Sequence, residues 1–238
     1  MESVKYLPSG DGAVTVEFSR EISEEVNAKI RFLAERIERD KLFGISECIP
    51  TFRSITVFFN PLALTRKKLI KYIDGILTSY APGQAGEGRV FKIPVCYEGQ
   101  FAPDMESLSK ITGLSAEEII EIHSSRDYLI YMLGFLPGFP YLGGMDERIE
   151  APRLETPRTS ITEGSVGIGG KQTGIYPLAS PGGWRLIGRT PVRIYDPERE
   201  EPIFYRAGDY IRFIPISIEE FQKIKNNPSY EVEYEVKK

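Results

Sequence analysis

The chain has 238 residues, of which 27% are charged and 41% hydrophobic, with a net charge of −4. That length allows one large domain or two small ones with a sizeable core. The acidic balance argues against a nucleic acid or an anionic membrane surface as partner. A single histidine and two isolated cysteines, Cys48 and Cys96, exclude zinc sites that need several His, or paired Cys plus His. An all-oxygen Mg²⁺ site stays open, because carboxylates and phosphates suffice for it. The opening MESVKYLPSG lacks the apolar stretch of a signal peptide and no run approaches a membrane span. The expected compartment is therefore the cytoplasm, where lone cysteines stay reduced.

After the Gly10–Asp11–Gly12 turn, Val14, Val16 and Phe18 alternate as in a half-buried strand. Ser23 reads as an N-cap with Glu24 and Glu25 in the first turn. Val26, Ile30, Leu33 and Ile37 follow at helical spacing, and Gly44 ends the segment. Residues 45–49 and 53–59 read as two strands, the second with Ile55, Val57 and Phe59 on one face. Thr65 caps another helix, striped by Leu69, Ile73, Ile76 and Leu77. The stretch APGQAGEG at 81–88 is the best linker candidate. A strand follows at 90–95. Strand, helix, strand, strand, helix, strand is the order of a split βαβ, ferredoxin-like unit, although this last strand can equally open a second domain.

Beyond residue 95 the texture changes. Short helices are expected near 104–111 and at 116–123, the latter with Ser115 and Glu118 in a capping-box pattern. Residues 128–135 read as a strand, and shorter ones follow at 166–169, 185–187, 192–195 and 210–214. Short, turn-punctuated strands of this kind suit a closed β-barrel-like domain. Ser217 and Glu220 start one more short helix. Tyr230, Val232 and Tyr234 then alternate with glutamates in a final edge strand.

Twelve of the 22 glycines fall between Gly134 and Pro191, and from Gly164 to Trp184 the only charge is Lys171. Clustered glycine implies backbone at positive φ or in close approach to a ligand. The interspersed Gln172, Thr173, Tyr176 and Ser180 suggest a polar-lined concavity rather than a disordered linker. GIGGKQTG is not a Walker loop, since Ser165 stands where the first Gly belongs and Gln172 where Ser or Thr belongs. Gln172 also breaks the third glycine of a dinucleotide fingerprint. Ser165 and Ser180 lack the preceding glycine of a hydrolase elbow, and one histidine leaves little room for a Ser–His triad.

GFLPGFPYLGG (134–144), GSVGIGGKQTGIYP (164–177) and SPGGWRLIGRTP (180–191) resemble one family. It contains the B-type subunits of 5-oxoprolinase, allophanate hydrolase subunit 1 and the KipI inhibitors of sporulation kinases. SGDGAV (9–14), ECIPTF (47–52), IPVCYEG (93–99), the His123 region and AGDYIRF (207–213) extend the likeness over nearly the whole chain. Lys171 departs from it, many members carrying a small or neutral residue there. The resemblance implies an α+β protein: a small ferredoxin-like α/β N-terminal domain (1–88) and a cyclophilin-like β-barrel C-terminal domain (89–238). It further implies a C-type partner subunit, and an A-type subunit that completes ATP-dependent opening of 5-oxoproline to glutamate. ATP with Mg²⁺ is the implied cofactor, bound by this chain or by its partners. Inhibition of a sensor histidine kinase and allophanate hydrolysis are the alternative roles.

Such a site must hold a substrate carboxylate and spread phosphoryl charge, which arginine does by bidentate pairing. Arg153, Arg158 and Arg189 border the polar loops and are the expected anion ligands. Gln172 and Tyr176 are candidate donors to an amide or phosphate oxygen. Phe135, Gly138, Phe139 and Tyr141 form an expected apolar wall, and His123 is the candidate proton shuttle. Each has a structural alternative: His123 closing its helix, the arginines bracing loops, the rings filling core, and Trp184 covering a glycine-rich turn.

Overall fold

A computed structural model describes residues 4–81 and 88–237. The expected linker at 81–88 therefore lies, for residues 82–87, outside the described residues. Contacts divide the chain into two compact units, Met1–Gly86 and Glu87–Lys238.

The first unit runs β1 (Lys5–Pro8), β2 (Ala13–Glu17), α1 (Glu24–Asp40), β3 (Ile45–Pro50), β4 (Ser54–Phe59) and α2 (Arg66–Thr78). Its four strands form an antiparallel sheet in the order β1-β2-β4-β3. Ser23 caps α1 by accepting from the Val26 N–H at 3.2 Å, and Thr65 caps α2 through Lys68. Strand alternation turns Val14, Val16, Ile55, Val57 and Phe59 inward. There they meet Ile30, Leu33, Leu69 and Ile73 from the two helices. The edge beside β2 belongs to β1, a strand whose KYLP sequence carries no clear alternation.

The strand at 90–95 belongs to the second unit. As β5 (Arg89–Val95) it is buried on both faces, and it lies between two neighbours there. A strand covered on both sides is built from near-continuous apolar residues. The second unit continues with α3 (Met105–Thr112), α4 (Ala116–Ser124), β6 (Tyr128–Leu133), β7 (Pro140–Gly143), β8 (Arg158–Ile161), β9 (Ser165–Gly169) and β10 (Gln172–Ile175). It ends with β11 (Ser180–Gly182), β12 (Arg185–Arg189), β13 (Tyr210–Pro215), α5 (Ile218–Lys225) and β14 (Tyr234–Val236). Complete capping boxes at Ser115/Glu118 and Ser217/Glu220 start α4 and α5.

These strands make three sheets: β14-β5-β13-β6-β7, β10-β9-β12 and β11-β8. The expected closed barrel is not formed among the described residues. Only a single bridge, Cys96 to Arg189, ties the end of β5 to β12, and β8 with β11 splits off as a separate pair. The strand expected at 192–195 is absent too. Arg199 donates to the carbonyls of Arg193 and Ile194, groups that a ladder would otherwise use. The coarse class is thus mixed α and β, with sheets dominant and five α-helices among the described residues.

Candidate functional site

The β6–β7 connection starts the site. The Leu136 N–H donates to the Gly134 carbonyl at 2.7 Å, closing a γ-turn about Phe135, whose φ is +64°. A non-glycine residue in that region is strained, and such strain gathers at functional segments. A second turn follows at once, the Phe139 N–H donating to Leu136 at 3.0 Å. Pro137 fixes its first corner, and Gly138 at φ +83° its second, as a type II turn requires. Gly138 therefore serves the turn, and its carbonyl accepts from the Tyr205 hydroxyl at 2.6 Å.

The tandem turns leave Phe135 63% exposed and send Phe139 inward. Phe139 meets Tyr141, Tyr176 and Trp184 at centroid distances of 5.3, 5.3 and 5.5 Å, all edge to face. Phe135 joins the same group from outside, 5.6 Å from Phe139. Trp184 lies flat on the β9–β10 hairpin because that surface is glycine. A Cβ on Gly169 would collide with the indole Nε1, and one on Gly174 would sit 3.1 Å from the ring.

Over this floor stands Arg153, its guanidinium carbon 5.9 Å from the Trp184 ring centroid. Its segment is pinned on both sides. Ala151 bridges Gly170, Arg185 donates to the Pro152 carbonyl at 3.0 Å, and the Leu154 N–H donates to Gly183 at 2.7 Å. Tyr176 has its hydroxyl raised above the usual tyrosine range, chiefly by burial, against the pull of the Trp184 backbone, Arg153 and Arg158. It is a neutral phenol at physiological pH.

Arg158 is committed elsewhere. It pairs with buried Asp104 at 2.7 Å and reaches the Trp184 carbonyl at 3.4 Å. The other Asp104 oxygen accepts from the Leu186 N–H at 2.7 Å, so this carboxylate ties α3, β8 and β12 together. Arg189 stands apart. Its Nε donates to the Glu163 carbonyl at 2.9 Å, and it lines a separate cavity of about 30 Å³ with Gly164, Thr190 and Phe221. Gln172, half-buried, opens β10 opposite Gly169.

His123 lies outside the aromatic group. It is 0% exposed, stacked on Phe213 at 4.4 Å, and both ring nitrogens are engaged. Nδ1 is 2.8 Å from the Tyr97 hydroxyl and Nε2 is 2.8 Å from Thr173 Oγ1. Burial pushes its pKa down to about 3.

The structure thus gathers Phe135, Phe139, Tyr141, Arg153 and Tyr176, brings Arg158 up as a brace, and leaves Arg189 and His123 elsewhere. Asp104, Tyr97 and Thr173 are not legible as partners in the sequence, because the groups they meet are distant along the chain. A cavity of about 850 Å³ in the same unit, lined by Arg89, Phe91, Arg199, Phe204 and Tyr234, holds none of the expected residues.

Two groups of the glycine hairpin have partners of their own. The Gly170 N–H is used by the Ala151 carbonyl, and Lys171 pairs with Glu150 at 3.6 Å. Among the described residues no three His, Cys, Asp or Glu stand together to hold a metal, and no helix is long and apolar enough to cross a membrane.

Known proteins agree on the class. Residues 4–205 match the model of the carboxyltransferase domain, subdomain C and D, and the chain belongs to that family. It is 43% identical to the B-type subunit of 5-oxoprolinase from Bacillus subtilis (strain 168) over 226 residues, 91% of this chain and 94% of that one. The solved protein TTHA0988 superposes with a TM-score of 0.77 at 35% identity over 86% of this chain, which spans 40% of that longer protein. A conserved uncharacterized protein from Pyrococcus horikoshii is 45% identical, covering 91% of this chain and 100% of its own, with a TM-score of 0.55.

Proposed function

We propose that this chain is the B-type subunit of a cytoplasmic ATP-dependent 5-oxoprolinase, opening 5-oxo-L-proline to L-glutamate together with A-type and C-type subunits. The observation that carries the reading is the near end-to-end likeness to the Bacillus subtilis protein of that type, at 43% identity. In finer terms we assign a ferredoxin-like domain to residues 1–88 and a cyclophilin-like domain to 89–238. The split βαβ order of β2 to α2 supports the first assignment, and the run of short, turn-punctuated strands from β6 to β13 supports the second.

Within the second domain we assign substrate binding to Arg153 and the Phe139–Tyr141–Tyr176–Trp184 group. 5-Oxoproline is a flat five-membered lactam with one carboxylate. An aromatic floor suits its ring, and a guanidinium fork pairs its carboxylate in two parallel hydrogen bonds. Arg153 is the arginine suited to that pairing: among the described residues no carboxylate pairs with it, whereas Arg158 is held by Asp104 and Arg189 by a carbonyl. Phe135, on its exposed strained turn, closes the outer side of the group. Gln172 stands near the end of the glycine hairpin as a donor to the lactam oxygen. The lactam amide is a poor electrophile, and phosphorylation of its oxygen by ATP supplies the activation. ATP with its Mg²⁺ is bound by this chain or shared with the partner subunits, since a nucleotide's phosphates and one or two carboxylates suffice to hold the ion.

The test is reconstitution. Purified A-type, C-type and B-type chains should form glutamate from 5-oxoproline only with ATP, and omission of this chain should abolish it. An unchanged rate without this chain would sink the assignment.

A further inference from the structure

His123 is wholly enclosed in the second unit, and it touches several elements at once. It sits on α4, stacks on Phe213 of β13 and lies 5.5 Å from the Tyr128 ring of β6. The Tyr128 hydroxyl returns to the His123 carbonyl at 2.8 Å. Its two ring nitrogens face hydroxyls, and their roles follow from a count of protons. Thr173 Oγ1 has one proton, and that proton goes to the Gly167 carbonyl at 3.2 Å. Oγ1 must then accept from Nε2, so the imidazole is the neutral Nε2–H tautomer. Nδ1 is left with a lone pair, which accepts from the Tyr97 hydroxyl. Every polar side-chain atom in the series Tyr97–His123–Thr173 is satisfied, and all three residues are buried.

The far end of that series is the glycine hairpin. Thr173 points to the core from β10, while on the same two strands Gly167, Gly169 and Gly174 meet Trp184. A shift of the hairpin moves the indole, and with it the floor beneath Arg153.

We infer that His123 is a positioning residue for the Trp184–Arg153 site, acting through Thr173 to fix the β9–β10 hairpin as a neutral Nε2–H donor. The inference rests on the substrate assignment only in taking that site as the one positioned.

The chain has one histidine, so its ¹⁵N imidazole signals are unambiguous in the full-length protein. They should report the Nε2–H tautomer throughout about pH 5 to 8 and stay unchanged on adding 5-oxoproline. A protonation midpoint inside that range would overturn the inference. Thr173→Val should red-shift Trp184 emission and raise KM for 5-oxoproline about tenfold in the reconstituted complex, without altering the shape of the pH profile. Thr173→Ser and His123→Gln, which keep the hydroxyl and the donor, should restore emission and KM. A Thr173→Val protein indistinguishable from the parent in both readouts would also refute it. The imidazole and emission signals belong to the chain alone. If the parent complex forms no glutamate, the functional assignment fails while these two measurements still decide the role of His123.

Discussion

Two polar centres lie within the second unit, and they differ in what surrounds them. Around His123 every hydrogen-bonding atom is matched and no charge enters. Around Trp184 the rings are buried, yet Arg153 rides over them on an exposed residue. A matched, sealed network fixes shape, because breaking it leaves a buried group unpaired. A charged group held over an aromatic floor, with its segment pinned but no carboxylate paired to it among the described residues, is the group we propose receives the ligand. Residue type alone gives a chemical role to histidine and arginine alike; burial and partners separate them.

The largest expected blow to this comparison is Trp184→Ala. The indole is 5% exposed and is the ring on which Tyr176, Phe139 and Arg153 converge. Its loss should destabilise the second unit by about 4 kcal/mol in urea melts. A much smaller change would mean that the glycine hairpin, not the indole, carries the site.

Next comes acid. The His123 pKa is about 3 when folded, against 6.5 in the open chain. Above the unfolded value both states hold a neutral ring, and the group adds no pH dependence. Below it the unfolded chain takes up a proton that the native core refuses. Stability should fall by about 1.4 kcal/mol per pH unit until the folded value is reached. Going from about pH 6.5 to 4.5 therefore costs roughly 2 kcal/mol that a His123→Gln protein does not lose. Equal pH slopes for the two proteins would show that solvent reaches the ring.

Asp104→Asn should cost about 2 kcal/mol, since it removes the negative partner of Arg158 while keeping an acceptor for the Leu186 amide. It should also loosen Arg158 from the Trp184 carbonyl. The emission of Trp184, the only tryptophan, would then shift. No change in stability would mark the pair as solvent-screened.

How far the chain itself announces this arrangement differs between the units. Helices α1 and α2 and strands β2 and β4 are plain in the sequence. Each keeps its apolar period over several turns or pleats, and both helices carry a side-chain cap. Strands β7, β8, β10 and β11 are not, being three or four residues long, too short for a period to register. The placement of β5 depends on which neighbours cover it, and that is not a local property. The same holds in the site. The glycines and the aromatic wall lie in contiguous motifs and stand out, and Arg153 is legible only as an arginine beside them. Asp104 meets Arg158 across 54 positions, and His123 meets Thr173 across 50. Pairings of that range are invisible to spacing, so the committed arginine and the open one look alike.

That distinction gives the mildest structural change and the sharpest functional one. Arg153 is exposed and forms no carboxylate pair among the described residues, so Arg153→Ala should alter stability by less than about 0.5 kcal/mol. The cation–π contact it gives up is worth little at an exposed position. Its effect should instead fall on the substrate carboxylate, where loss of a bidentate charged pair weakens binding by about 2 kcal/mol, or roughly thirtyfold. Arg153→Lys keeps the charge but not the fork, and should recover only part of that loss. Titration of Trp184 emission with 5-oxoproline in the reconstituted complex measures both. If Arg153→Ala binds as the parent does, the carboxylate is read elsewhere, and the open centre is no more a ligand site than the sealed one.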